Sequence, residues 1–331
     1  MTGPVEPQKH RMDRTGPQAK PRRLWITLLA VIPALFAAGT AGAFWTGYSL
    51  HDRPFAWYNS NRIAATAERA ARAARDLSPV VVVALGDSAL RHATLDEPGM
   101  AALAAKHGVE SLHFLRIVHD HARFEDFEPL LGDVLKLKPA LVLLDVDLLF
   151  AERSDLAGLR RYGSHLTEVA MLGRSYLPDQ SALQYDKPCR AVGAQGWTDA
   201  AADRWVKTRS AAVRMNDDSP AFERVRRFAD QARAAGVGIA LLLSPRPAAV
   251  EERLYGAGNG YRPAALDRLS GHVDLPLWRL PDSALPKPAK AAAFCRSGML
   301  GPEGRDAYSA WLAGGIAERL SRPRVEEAAL Q

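Results

Sequence analysis

Hydrophobic positions along the chain come in two kinds of run. Val80-Val-Val-Val-Ala-Leu85, Ala140-Leu-Val-Leu-Leu144 and Val237 to Leu243 are almost continuously apolar. Runs of this length, rich in β-branched residues, read as strands buried on both faces, as in a parallel sheet. Between them the apolar positions shift to helical spacing. Phe124, Phe127, Leu130, Leu131, Val134 and Leu135 form one such stripe within a helix expected from Arg123 to Leu137 and broken by Lys138-Pro139. The same reading predicts a helix over Pro98 to His107, a strand over Ser111 to Val118 and a strand over Ala140 to Asp147. It continues with a helix over Pro220 to Ala235 ended by Gly236, a strand near Val273 to Leu280 and a closing helix over Pro302 to Leu320. Tyr308, Trp311, Leu312 and Ile316 lie on the apolar face of that last helix. Strands alternating with helices imply an α/β domain with a parallel sheet and right-handed crossovers.

The first 78 residues do not follow this alternation. Residues 1–23 are polar, proline-containing and basic, the composition of a disordered cytoplasmic tail. Leu24 to Trp45 carries no charge. At about 1.5 Å per residue a helix of this length crosses a ~30 Å hydrocarbon core. Trp25 at one end and Trp45 and Tyr48 at the other suit interfacial positions, and the preceding basic cluster puts the amino terminus in the cytoplasm. Ala41-Gly42-Ala43 also fits a signal-peptide cleavage site, which stands as the alternative to an uncleaved single-pass anchor. Both readings put the globular part outside the cytoplasm. Residues 46–78 form a juxtamembrane segment, with an alanine- and arginine-rich helix over Ala56 to Leu77 that packs against the domain and stops at Ser78-Pro79.

The α/β domain is expected over 79–322, with an insertion at about 150–220, where periodicity weakens and Trp197 and Trp205 appear, and a frayed tail at 323–331. The formal charge of +6 is modest and basic residues are not interleaved with aromatics, which argues against nucleic acid as a partner. Cys189 and Cys295 lack metal-ligand spacing. Outside the cytoplasm they could pair, closing a loop whose chain-entropy value is roughly 4–5 kcal/mol.

Candidate chemistry centres on Gly86-Asp87-Ser88, where the first buried strand ends. Ligands of open α/β sheets sit at the carboxyl ends of strands. Gly86 permits a sharp turn. A serine opening the next helix is placed as a nucleophile, with backbone N–H groups available to developing negative charge. Gly-Asp-Ser is equally a turn and N-cap sequence, and that reading stays open.

The buried strand ending in Gly86-Asp87-Ser88, the following βα units and the glycine-containing loop before an amphipathic helix resemble the SGNH (GDSL-type) hydrolase family. The match is narrower to the membrane-anchored periplasmic type associated with exopolysaccharide O-acetylation. The resemblance implies a flavodoxin-like parallel sheet flanked by helices, Ser88 as nucleophile and oxyanion-hole donor, and Gly86 and Asp87 as shapers of the turn. It implies no cofactor. The family's second-block glycine has no counterpart in Val118-His119-Asp120-His121, and its Gly-x-Asn segment is matched by Asp145-Val146-Asp147. An ionised Asp147 only accepts hydrogen bonds, so it stabilises an oxyanion only when protonated. The Asp-x-x-His-Leu-Asn-x-x-Gly block reads Arg296-Ser-Gly-Met299-Leu300-Gly301-Pro-Glu-Gly304. Arg296 and Met299 stand where the acid and base belong, and methionine takes no proton from serine.

His92, four residues after Ser88, and His119 and His121, after the second strand, are the substitute bases to consider. His113, within that strand, packs or points away. His119 and His121 lie two apart, but no third metal ligand is present in the sequence around them, and no metal site is expected. The period of two along a strand places Asp145 and Asp147 on one face as a carboxylate pair, with a solvated strand end and helix-capping aspartates as the other reading, and Arg246 in Ser244-Pro-Arg-Pro247 is a candidate for binding an anionic sugar or carboxylate, or else a surface arginine. Two functions follow from the resemblance. One is a serine esterase or acetyltransferase acting on O-acyl groups of an envelope or secreted polysaccharide. The other is a degenerate domain that binds polysaccharide or scaffolds a membrane-bound acyltransferase in the inner membrane.

Overall fold

A computed structural model describes residues 21–45, 52–75, 77–119, 122–150, 197–209, 220–256, 263–281, 293–295 and 298–321. The chain divides into two compact units, Met1–Ser49 and Leu50–Gln331. The first contains a single described helix, α1 (Pro21–Trp45), which takes in the whole charge-free run and has Pro33 within it. Its described side chains are those of 27–39, and Leu28, Leu29, Val31, Ile32, Leu35 and Phe36 are exposed. Among the described residues, no helix is long and apolar enough to cross a membrane.

The second unit begins with α2 (Asp52–Ala73). Phe55 and Ile63 of α2 are buried in the core, and Arg62 donates to the Arg116 carbonyl at 2.8 Å and to Glu97 at 2.8 Å. Then follow β1 (Val80–Gly86), α3 (Ser88–Ala93), α4 (Glu97–Ala105), β2 (Leu112–Val118), α5 (Phe124–Lys136), β3 (Leu141–Asp145) and α6 (Asp147–Phe150). After the segment 151–196, outside the described residues, come α7 (Asp199–Arg209), α8 (Pro220–Ala234), β4 (Gly238–Leu243) and α9 (Ala248–Gly256). The chain continues with α10 (Pro263–Val273) and β5 (Leu277–Arg279) and closes with α11 (Pro302–Ser321).

The five strands form one parallel sheet in the order β2-β1-β3-β4-β5. Alternation along each strand divides the core in two. Val81, Val83 and Leu85 face one layer with Leu115, Ile117, Val142, Leu144 and the buried stripes of α2, α5, α8 and α10. Val82 and Ala84 face the other with Phe114, Leu143, Leu242 and the buried residues of α3, α4 and α11. Burial of both faces explains why these strands are continuous apolar runs. In α5 the expected stripe is in place, with Phe124, Phe127, Leu130 and Val134 buried.

Two sequence expectations are corrected. The third strand ends at Asp145, and Asp147 opens a short helix, so the two aspartates do not share a strand face. Val273 closes α10 rather than opening a strand; Asp274 then takes a positive φ of 53° and β5 is only three residues long.

The sheet order defines the site. β1 lies between β2 and β3, so the chain moves outward on one side of β1 and then on the other. The carboxyl ends of β1 and β3 form the topological switch point, the place where open α/β sheets bind ligands. Gly86-Asp87-Ser88 and Asp145-Val146-Asp147 flank it.

Candidate functional site

Gly86 makes the turn at the end of β1 possible by its size. A Cβ there would fall 2.5 Å from Leu90 Cδ2, 2.7 Å from Leu90 Cβ and 3.1 Å from Asp145 Cβ. Asp87 is the N-cap of α3, its carboxylate accepting from Ala89 N–H at 2.6 Å. Ser88 opens the helix and is 6% exposed. The last turn of α3 is also fixed. Wholly buried Arg116 of β2 donates from Nη1 to the Arg91 and Thr94 carbonyls and to Thr94 Oγ1, the latter two at 2.9 and 2.8 Å. Ser309 of α11 accepts from Leu95 N–H at 2.9 Å. An anion at the amino end and a cation at the carboxyl end both favour the helix dipole.

At the end of β3, Asp145 is wholly buried. Its carboxyl accepts from Ser244 Oγ at 2.9 Å and from Asp147 N–H at 3.1 Å. Burial, then the charges of Asp147 and Asp87, push its pKa well above the usual carboxylate range. Tyr308 of α11 is also wholly buried, with its hydroxyl 3.4 Å from the Leu243 carbonyl. Burial and the nearby Asp145 raise its pKa, and a hydrogen bond with Ser244 partly offsets this. Asp147 pairs with Arg246, whose other nitrogen lies 3.5 Å from Glu251. The Arg246 side chain is 6% exposed. This arginine, the candidate for binding an anionic group, ties the start of α6 to α9. Half-buried Tyr255 extends the chain of groups; burial and Glu251 raise its pKa to about 12.

The candidate bases divide differently. The His119 backbone N–H bonds to the Gly86 carbonyl at 3.2 Å, so the chain leaving β2 runs beside the Ser88 turn. The His119 ring, however, stacks edge-on against Phe55 of α2 at 4.8 Å. His92 shares α3 with Ser88. Among the described residues no hydrogen bond joins Ser88 to either histidine. His113 lies in β2, where burial and Arg69 lower its pKa. His121, Arg296 and Cys189 lie outside the described residues. Among the described residues no cluster of His, Cys, Asp or Glu suits a metal ion.

The loop before α11 follows the family block in shape but not in chemistry. Phe294 pairs with Leu300, Cys295 N–H donates to the Met299 carbonyl at 2.7 Å, and Gly298 turns at φ 83°. A Cβ on Gly304 would fall 2.4 Å from the Ala293 carbonyl oxygen, so only glycine lets α11 start this close to the loop. Trp197 donates to the Cys295 carbonyl at 3.0 Å, and Trp205 covers Gly298. Cys295 is disulfide-bonded, and Cys189 is the chain's only other cysteine. Sequence reasoning missed Arg116, Ser244 and Tyr308 as parts of this site; a lone arginine inside an apolar strand was the available signal for the first.

No protein-family model matches the chain, and no curated protein matches its sequence. Similar solved structures include a lipase/acylhydrolase from Enterococcus faecalis, 13% identical over 72% of this chain and 96% of that one, TM-score 0.38. TesA is 15% identical over 72% and 99%, TM-score 0.33. An acetylxylan esterase from Geobacillus stearothermophilus is 10% identical over 74% and 97%, TM-score 0.36. The first of these is described as a lipase/acylhydrolase and the last as an acetylxylan esterase. At these identities and scores the activity of the present chain has to be argued from its own site.

Proposed function

We propose that this chain is an SGNH-like domain held at the outer face of a membrane, where it serves polysaccharide acylation without hydrolysing the acyl group. In this reading the surface over the carboxyl ends of β1 and β3 binds O-acylated polysaccharide, and the domain presents it to a membrane-bound acyltransferase. The observation that carries the proposal is at Ser88: it is buried, and among the described residues no hydrogen bond joins it to a base. Met299 stands where the family block has its histidine. A serine hydroxyl without a base is a weak nucleophile near neutral pH. Asp87, the nearest acid in sequence, is occupied as a helix cap.

The location rests on two supports. In the sequence, the charge-free run from Leu24 to Trp45 follows a basic tail, the pattern of a span with a cytoplasmic amino terminus. The disulfide at Cys295 fits an oxidising compartment such as the periplasm.

A second reading, a serine esterase or acetyltransferase, draws on one observation. Ser88 sits in the first turn of a helix directly beyond a buried strand, the position from which such a nucleophile works. Calorimetry on the full chain in detergent separates the two in part. Binding of an O-acetylated polysaccharide, lost for its alkali-deacetylated form and kept in Ser88→Ala, supports the binding role. Absence of binding to both forms contradicts it.

A further inference from the structure

Asp145 is a buried titratable group that neither reading uses. Its surroundings are fixed on every side. Gly86 of β1 lies against its Cβ, and Asp87 follows directly. Asp147 of α6 supplies an N–H to one oxygen and a negative charge beside it. Beyond β4, Ser244 donates to the other oxygen. Arg246, the nearest cation from that element, is directed to Asp147 and Glu251. From α11 comes Tyr308, a neutral hydroxyl on the Leu243 carbonyl. Two carboxylates thus act on a third that is wholly buried, and their charges raise its proton affinity.

We propose that Asp145 is a pH-responsive latch on the turn that carries Ser88. While neutral, it ties the ends of β3 and β4 together beneath Gly86. When it gives its proton to solvent, the new negative charge repels Asp87. Asp87 is the cap of α3, so the repulsion acts on the bond to Ala89 N–H and loosens the first turn of the helix. The turn is then ordered while Asp145 holds its proton and loosened at the higher pH at which it gives the proton up. The latch acts on the fold of this turn whatever ligand the site takes, so it stands or falls apart from the binding role.

Backbone amide exchange of the full chain in detergent micelles tests it, followed by mass spectrometry from about pH 6 to about pH 10 and corrected for intrinsic exchange. In the wild type, peptides covering 86–93 should lose protection by roughly tenfold or more as pH rises, while those covering α5 keep theirs. Asp145→Asn keeps the neutral shape, and Asp87→Asn keeps a capping side chain without the charge. Both should hold protection over 86–93 throughout. Wild-type protection that does not change with pH overturns the proposal. So does a parallel loss in Asp145→Asn, or, should that variant fail to fold, a parallel loss in Asp87→Asn.

Discussion

A Cβ placed on Gly86 would lie 3.1 Å from Cβ of Asp145, so the ends of two neighbouring strands meet with room for one side chain only. That contact joins the turn bearing Ser88 to the buried acid. It also gives a first prediction. In Gly86→Ala the new methyl meets Leu90 Cβ at 2.7 Å as well, and neither neighbour is a free chain end. Overpacking of this kind costs about 1–3 kcal/mol, and urea denaturation should show that loss.

Arg116 is the second test. It lies wholly inside the domain and satisfies the carbonyls at the end of α3. Arg116→Met leaves these acceptors buried without that donor. A loss of about 3 kcal/mol or more is expected in chemical denaturation, since each buried group left unsatisfied costs roughly 1–3 kcal/mol. An unchanged midpoint would mean that α3 is held by other contacts.

The proton on Asp145 predicts a slope of stability with pH. The unfolded chain releases this proton near the ordinary value of 3.8, whereas the folded protein keeps it well above. In the window between the two, the native state binds more protons, so this group's contribution falls as pH rises. Asp145→Asn lacks the titration. Its denaturation midpoint relative to wild type should therefore climb as pH rises above the ordinary carboxylate range, until the folded-state pKa is passed. A constant difference would place the folded value close to the ordinary one.

Reduction of the Cys295 disulfide is expected to destabilise the protein by about 4 kcal/mol on the chain-entropy estimate for a loop of roughly a hundred residues. Denaturation with and without reductant measures it, and Cys295→Ser should match the reduced wild type.

The parts of the fold legible in sequence are those governed by local pattern. Val80 to Leu85 announced a doubly buried strand because nothing polar interrupts it, and Lys138-Pro139 and Gly236 marked helix ends through their backbone preferences. Asp145 and Asp147 looked equivalent in sequence. They differ because Ser244 and Arg246, 99 residues later for each pair, reach one aspartate apiece. The same distance hid the role of Arg246, which resembles a surface arginine until Asp147 and Glu251 close around it. Arg116 was overlooked because a strand pattern tolerates one polar residue without saying what it touches. The Gly86-Asp87-Ser88 turn was legible as a site and as a cap, and Asp87 does cap the helix.

The measurement that bears most directly on the central claim is turnover of p-nitrophenyl acetate by the full chain in detergent, wild type against Ser88→Ala. The account predicts equal rates at the uncatalysed background, with no burst in either protein, because among the described residues no base is hydrogen-bonded to Ser88. A burst and steady turnover in the wild type that vanish in Ser88→Ala would contradict it and make Ser88 a working nucleophile.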